Sequence, residues 1–327
     1  MVLAVSAACM TSSQSTNPSP SKLAVLPEGR AAFFYSTDVY APLHPVGWDG
    51  TRYAQLQLGT LTGSQAIQSP DGSKLIFDNV VYDRTTGSTT QLPFVANKGT
   101  QVMWADDSAH ICALHPLGDS QQPGGTTDEL DLVVPGGATR VVAQIGHDEA
   151  QAFVLLRSCS VAKDVAILAQ RAVMPISDVW MIRISTGAII RHLAYQQGAE
   201  PGIVVASPDG SLVATVGSTT TDIVDTGTGS TVAHLNGHAV AFSGDGNVLA
   251  LDDRVVDWRT GHTLWLVPAG FSVIFVLAEP GGSAVALDLM AGQGAASPTP
   301  PSQLWLVASS TPIHIADGVV PSFVTVN

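Results

Sequence analysis

Three segments of this chain read as near copies of one another: Ser69-Pro70-Asp71-Gly72-Ser73-Lys74-Leu75-Ile76-Phe77, Ser207-Pro208-Asp209-Gly210-Ser211-Leu212-Val213-Ala214-Thr215 and Ser243-Gly244-Asp245-Gly246-Asn247-Val248-Leu249-Ala250-Leu251. Each is a tight turn entering a strand: Pro presets φ, Asp accepts bonds from nearby backbone N–H groups, and Gly takes the positive φ that a Cβ disfavours. Self-similarity at a period of a few tens of residues decides the whole fold, so it precedes any local assignment. Weaker copies stand at Pro27-Glu28-Gly29, Ala105-Asp106-Asp107-Ser108, His147-Asp148-Glu149 and Glu279-Pro280-Gly281-Gly282. Seven markers result, at Glu28, Asp71, Asp107, Asp148, Asp209, Asp245 and Gly281, and the fourth interval alone is long.

A second mark follows inside the units. Asp83 to Gly87, Arg183 to Gly187, Asp225 to Gly229 and Asp257 to Gly261 share a Thr just before the Gly, with Pro135-Gly136-Gly137 in that place in the third unit. Flanked by β-formers such as Val80-Val81-Tyr82 and Asp222-Ile223-Val224, these are hairpin turns. Each unit is therefore four strands, and radially repeated four-stranded units are propeller blades. The expectation is an all-β, seven-bladed β-propeller over residues 25–327. The first unit lacks the inner strand that precedes its turn elsewhere. Its place is assigned to Ser322-Phe323-Val324-Thr325-Val326-Asn327, which resembles Ala239-Val240-Ala241-Phe242-Ser243 and would close the ring by completing blade 1.

Composition agrees with a turn-rich, packed β protein: 45% apolar, 13% charged, 31 Gly and 20 Pro. A net charge of −13 opposes a phosphate backbone, which excludes nucleic acid as a partner. The segment from Gly237-His238-Ala239 to Val256-Asp257-Trp258-Arg259-Thr260-Gly261 resembles a WD-repeat. Tyr82, Val224 and Val256 stand where that pattern has Trp before Asp, so the chain is similar to degenerate bacterial WD-repeat-like and Tol-type propellers rather than to regular eukaryotic ones.

The opening Val2-Leu3-Ala4-Val5-Ser6-Ala7-Ala8-Cys9, with the Ser/Thr/Pro-rich stretch over 10–24, resembles the end of a bacterial lipoprotein signal peptide and its tether. That resemblance implies lipidation at Cys9; the alternative is an ordinary apolar N-terminus. No other segment has the roughly 18 apolar residues of a membrane-spanning helix, so a membrane anchor would be lipid only. For Cys112 and Cys159, counting from the markers at about 3.3 Å per residue puts them roughly 20 Å apart in height. Bridged Cα atoms lie within about 7 Å, so two reduced thiols are expected.

No Gly-x-Ser-x-Gly elbow, His-Glu-x-x-His, Cys-x-x-Cys or phosphate-binding loop occurs, and no metal or cofactor is expected. His234 and His238 flank a turn and so read as turn residues, and one carboxylate per Asp-x-x-Thr-Gly run is too few for calcium. Elaborated loops on a rigid scaffold carry binding residues. The second-to-third-strand connections are long in unit 1 (Ser36 to Trp48), unit 3 (His115 to Glu129), unit 4 (Arg157 to Ile176) and unit 7 (Met290 to Gln303). Their binding candidates are Tyr40, His44, Trp48, His115, Arg157, Asp164 and Arg171. The leading reading is a monomeric, non-enzymatic extracytoplasmic propeller that binds a protein or cell-envelope component. The alternatives are a propeller hydrolase or lyase acting on a glycan or peptide, and an intracellular WD-repeat-like scaffold.

Overall fold

The structure is a computed structural model, and it describes residues 32–37, 44–53, 66–77, 79–94, 100–117, 126–147, 152–172, 176–194, 203–292, 302–308 and 311–319. Strands β1 (Ala32–Tyr35) and β2 (His44–Gly47) form a two-stranded sheet. Six four-stranded antiparallel blades follow, numbered here after their units. Blade 2 holds β3 (Ala66–Gln68), β4 (Lys74–Phe77), β5 (Val80–Asp83) and β6 (Thr89–Gln91), and blade 3 holds β7 (Gln101–Trp104), β8 (Ile111–Leu117), β9 (Thr126–Val133) and β10 (Thr139–His147). Blade 4 comprises β11 (Ala152–Ser160), β12 (Val165–Ala172), β13 (Ile176–Arg183) and β14 (Ile189–Ala194), and blade 5 β15 (Ile203–Ala206), β16 (Leu212–Val216), β17 (Thr220–Asp225) and β18 (Thr231–Asn236). Blade 6 is β19 (Ala239–Phe242), β20 (Val248–Leu251), β21 (Arg254–Asp257) and β22 (His262–Leu266). Blade 7 is β23 (Phe271–Ala278), β24 (Val285–Ala291), β25 (Ser302–Val307) and β26 (Ile313–Asp317).

The expected count of seven four-stranded blades is thus corrected to six, with two strands in unit 1 among the described residues. After β2 the chain reverses at Gly47–Gly50 and returns as an isolated bridge of Arg52 to Val46, with Gly47 N donating to Thr51 O and Tyr53 N to Pro45 O, and no third strand forms among the described residues. The Arg52 guanidinium is instead spent on the carbonyl of Ile315 in blade 7, 2.8 Å away. The proposed closing strand, residues 322–327, and the marker at Pro27-Glu28-Gly29 lie outside the described residues.

The turn chemistry explains why the strands start where they do. In Ser207-Pro208-Asp209-Gly210, Asp209 accepts from Ser207 Oγ (2.7 Å) and Ser211 N (3.0 Å), and Ser207 Oγ accepts from Leu212 N (2.9 Å). Gly210 has φ +67°, and a Cβ there would meet Val165 Cγ1 of blade 4 at 2.5 Å. Two independent reasons therefore demand glycine. The hairpin turns hold likewise, with Asp225 Oδ1 accepting from Thr228 N at 2.7 Å and Gly229 at φ +74°.

The core lies between blades. Each blade buries both faces against its neighbours, so strands such as β20 (Val248, Leu249, Ala250, Leu251) are buried throughout, facing blade 5 and blade 7 on alternate residues. The two-stranded sheet stands between blades 7 and 2. Phe33, Val46 and Trp48 pack with Leu277, Leu304 and Leu306 of blade 7, while Arg84 of blade 2 lies over the Phe34 ring at 5.5 Å. Among the described residues no helix is long and apolar enough to cross a membrane.

Candidate functional site

Turns joining first to second and third to fourth strands lie at one end of every blade, and the second-to-third connections at the other. On blade 3, Ile111, Ala113 and Val133 pack against Ile76, Val81 and Leu92 of blade 2 near the turn end. Side chains alternate along a strand, so the same face continues with His115, Glu129 and Asp131 toward the other end. His115 and Glu129 are direct partners across β8 and β9, and Asp131 stands opposite Ala113. His115 Nε2 lies 3.2 Å from Asp131 Oδ2 and 3.7 Å from Glu129 Oε1. Gln144 on β10 donates from Nε2 to the other Glu129 oxygen at 2.6 Å, which turns Oε1 toward the imidazole. Asp131 is buried and its Oδ1 has no hydrogen-bond partner. A half-buried imidazole flanked by two carboxylates can hold a proton or a cation.

Blade 6 carries a further carboxylate-paired imidazole at this end. His238 Nδ1 meets Asp252 Oδ2 at 3.0 Å and Nε2 meets the Ser218 carbonyl at 2.8 Å. With acceptors at both ring nitrogens the cation is favoured, and its pKa is raised, by the Ser218 carbonyl first and by Asp252 second. The contact ties blade 6 to blade 5 and accounts for the Gly-His pair. His234 lies within β18, paired with Asp222, rather than in the turn expected. On blade 7, Asp288 is buried with neither carboxylate oxygen partnered, and burial pushes its pKa up to about 7.

Among the described residues, the candidates drawn from the long connections are spread over unit 1, blade 3 and blade 4. Tyr40 lies outside the described residues. His44 opens β2 and stacks on Tyr35, ring centroids 4.8 Å apart, while Trp48 is buried against Phe33 at 4.9 Å and is a core residue. Unit 4 has no long second-to-third connection, because the end of β11, its turn and β12 occupy the interval from Arg157 as far as Ala172, and β13 begins at Ile176. Arg157 sits at a bulge in the inner strand β11 and Arg171 near the end of β12. Asp164 closes the β11–β12 turn at the opposite end of the blade, accepting from Ser185 N and Oγ at 2.6 Å each. Of these candidates Asp164 lies in a separate turn cluster with Ser185 and Arg183, while His115 is flanked by two carboxylates. Its partners Glu129 and Asp131 went unnoticed as a pair, although Glu129-Leu130-Asp131-Leu132 alternates as a strand should; joining them to His115 requires the hairpin register.

The two thiols expected to be reduced are a disulfide, Cys112–Cys159, with Cα atoms 6.2 Å apart. The error was in the marker for unit 4. Its turn is Val161–Asp164, not His147-Asp148-Glu149, so Cys159 ends an inner strand beside the turn and Cys112 begins a second strand at the same level.

No family model matches the chain, and no curated protein matches it in sequence. Solved structures do. A prolyl endopeptidase is similar over 92% of this chain and 50% of its own, at 15% identity and a TM-score of 0.61, so the chain spans about half of that enzyme's length. An oligogalacturonate lyase in complex with manganese matches over 86% of this chain and 89% of its own (12% identity, TM-score 0.55). The β-propeller domain of Myceliophteria thermophila Cps50 (Swd1) matches over 82% and 93% (12% identity, TM-score 0.50). At these identities the likeness is one of fold, and propellers host enzymes and scaffolds alike. The chain is a β-propeller with WD-like four-stranded blades.

Proposed function

We propose that the chain is an extracytoplasmic β-propeller that binds a protein or cell-envelope component through the end carrying the second-to-third-strand connections. The observation that carries this reading is the Cys112–Cys159 bond, buried between blades 3 and 4. Disulfides persist in oxidising compartments and are rare where thiols are kept reduced. Binding is favoured over catalysis because the groups with raised pKa lie in separate settings, apart from one another and from the His115, Glu129 and Asp131 cluster: His238 is held by Asp252 and Ser218, and Asp288 faces the apolar contact with the two-stranded sheet. A propeller hydrolase would need such groups gathered at one point.

Two measurements test the reading. Protein extracted from its host under acid quench and alkylated without reductant should leave Cys112 and Cys159 unmodified. Alkylation of both would place the chain in a reducing compartment and favour the intracellular scaffold. Crosslinking with the intact chain, against versions shortened between Leu117 and Thr126 or between Ala291 and Ser302, should capture a partner that the shortened chains lose. Capture unaffected by either change would put the binding surface elsewhere.

A further inference from the structure

We propose that blade 3 carries a binding site for one divalent first-row transition-metal ion of the Mn2+ or Zn2+ class, held by His115 Nε2 and by carboxylate oxygens of Glu129 and Asp131.

The ligand atoms come from two rigid, adjacent strands and lie within 4.8 Å of one another. Around an ion with bonds of about 2.1 Å, neighbouring ligands sit roughly 3.0 to 3.4 Å apart, depending on octahedral or tetrahedral geometry. The His115–Asp131 separation, 3.2 Å, falls within that range and the His115–Glu129 separation, 3.7 Å, just outside it, while Glu129 and Asp131 lie within 4.8 Å of each other, so rotamer adjustment of the carboxylates would draw the three atoms together. One imidazole with two carboxylates suits manganese, iron or zinc more than calcium, which prefers oxygen alone, or copper(I), which prefers sulfur.

Charge and satisfaction point the same way. The side chains of His115, Glu129 and Asp131 are only 25, 14 and 10% exposed, and among the described residues no Lys or Arg pairs with either carboxylate. A divalent ion offsets both negative charges. Asp131 Oδ1 is buried without a partner, an arrangement that costs free energy unless a cation or donor occupies the space. Gln144 orients Glu129 by the hydrogen bond described above, as outer-shell partners of metal ligands do. With three protein ligands and partial exposure, the remaining positions are open to water or to a ligand atom of a partner.

The test is calorimetric titration of the full, chelator-stripped protein with Zn2+ and separately with Mn2+, together with thermal unfolding. The expected result is one equivalent bound with an upward shift in melting temperature. Asp131→Asn and His115→Ala should each weaken binding by tenfold or more, and Gln144→Ala by a smaller factor. Circular dichroism and the metal-free melting temperature of each variant show whether it folds; Asp131→Asn, nearly isosteric, serves if His115→Ala does not. His234→Ala, which removes an exposed histidine paired with Asp222 on blade 5, should change nothing. The proposal is overturned if neither ion binds, if folded Asp131→Asn binds as wild type does, or if His234→Ala abolishes binding.

Discussion

Asp288 faces Leu304 across β24 and β25 and Phe275 across β23 and β24, in the layer that meets the two-stranded sheet, and neither of its oxygens finds a donor. A carboxylate there has lost its hydration without gaining a partner, so the neutral acid is favoured and the pKa rises to about 7. The sign of the stability effect follows from linkage. Unfolded, the group titrates near the ordinary 3.8; folded, near 7, so between these values the native state holds a proton that the unfolded chain has released. The stabilising contribution is complete below about pH 4 and is lost as pH rises through 7, by about 1.4 kcal/mol per unit and about 4 kcal/mol in all. Asp288→Asn keeps the shape and removes the titration. Denaturant unfolding between pH 4.5 and 8 should show a shallower decline for the variant, which becomes the more stable protein at pH 8; parallel curves would mean that Asp288 is solvated or paired in solution. A lone Asp inside Val285-Ala286-Leu287-Asp288-Leu289 is visible in the sequence as an anomaly, but its lack of a partner depends on which side chains the neighbouring strands present. That information is tertiary.

Among the elements, the turns show what local chemistry reveals and where it stops. The Ser-x-Asp-Gly turns at Asp71, Asp209 and Asp245 were legible because donor, acceptor and positive-φ glycine all lie within six residues. The blade 4 turn was not legible. It has neither Gly nor Pro, Asp164 itself takes the left-handed conformation at φ 55°, and the capping carboxylate comes from the neighbouring blade: Asp106 accepts from Val161 N at 2.8 Å and from Ser160 Oγ at 2.5 Å. A cap supplied across the blade boundary leaves no local signature, and the misplaced marker then carried Cys159 to the wrong height. The resulting disulfide joins the second strand of blade 3 to the inner strand of blade 4, beside Gln101, which spans the same boundary by donating to Val154 O and accepting from Leu156 N. Its 47-residue separation would constrain the unfolded chain by about 4 kcal/mol on the chain-entropy account, with about 2–4 kcal/mol typical of measured cases. Reductant during equilibrium unfolding should lower the wild-type stability by that order. The double variant Cys112→Ala/Cys159→Ala should be less stable than wild type and indifferent to reductant; a wild type equally indifferent would show that the bond does not form.

For the whole molecule, the ring is a sequence of neighbour contacts, and among the described residues unit 1 is its thinnest member. Separate apolar clusters join blades 2 and 3, 3 and 4, 4 and 5, 5 and 6, 6 and 7, and blade 7 and the two-stranded sheet. The repeat made this radial plan legible, yet it overstated the count: among the described residues six units show four strands and unit 1 shows two. Stability in such an architecture is approximately a sum over units and their interfaces, so damage at one contact should be felt most by the two units that share it. Phe33 is the test position: it is fully buried between the two-stranded sheet and blade 7, against Trp48. Phe33→Ala removes a ring that a two-stranded sheet has little means of replacing, at a cost of about 3–5 kcal/mol. Hydrogen exchange read peptide by peptide should then quicken in β1 and β2, and in β25 and β26 of blade 7. Blades 4 and 5, two or more interfaces away, should keep their wild-type rates. Uniform quickening through all blades would mean that the ring opens as one cooperative body, in which case unit 1, small as it is, governs the stability of the entire propeller.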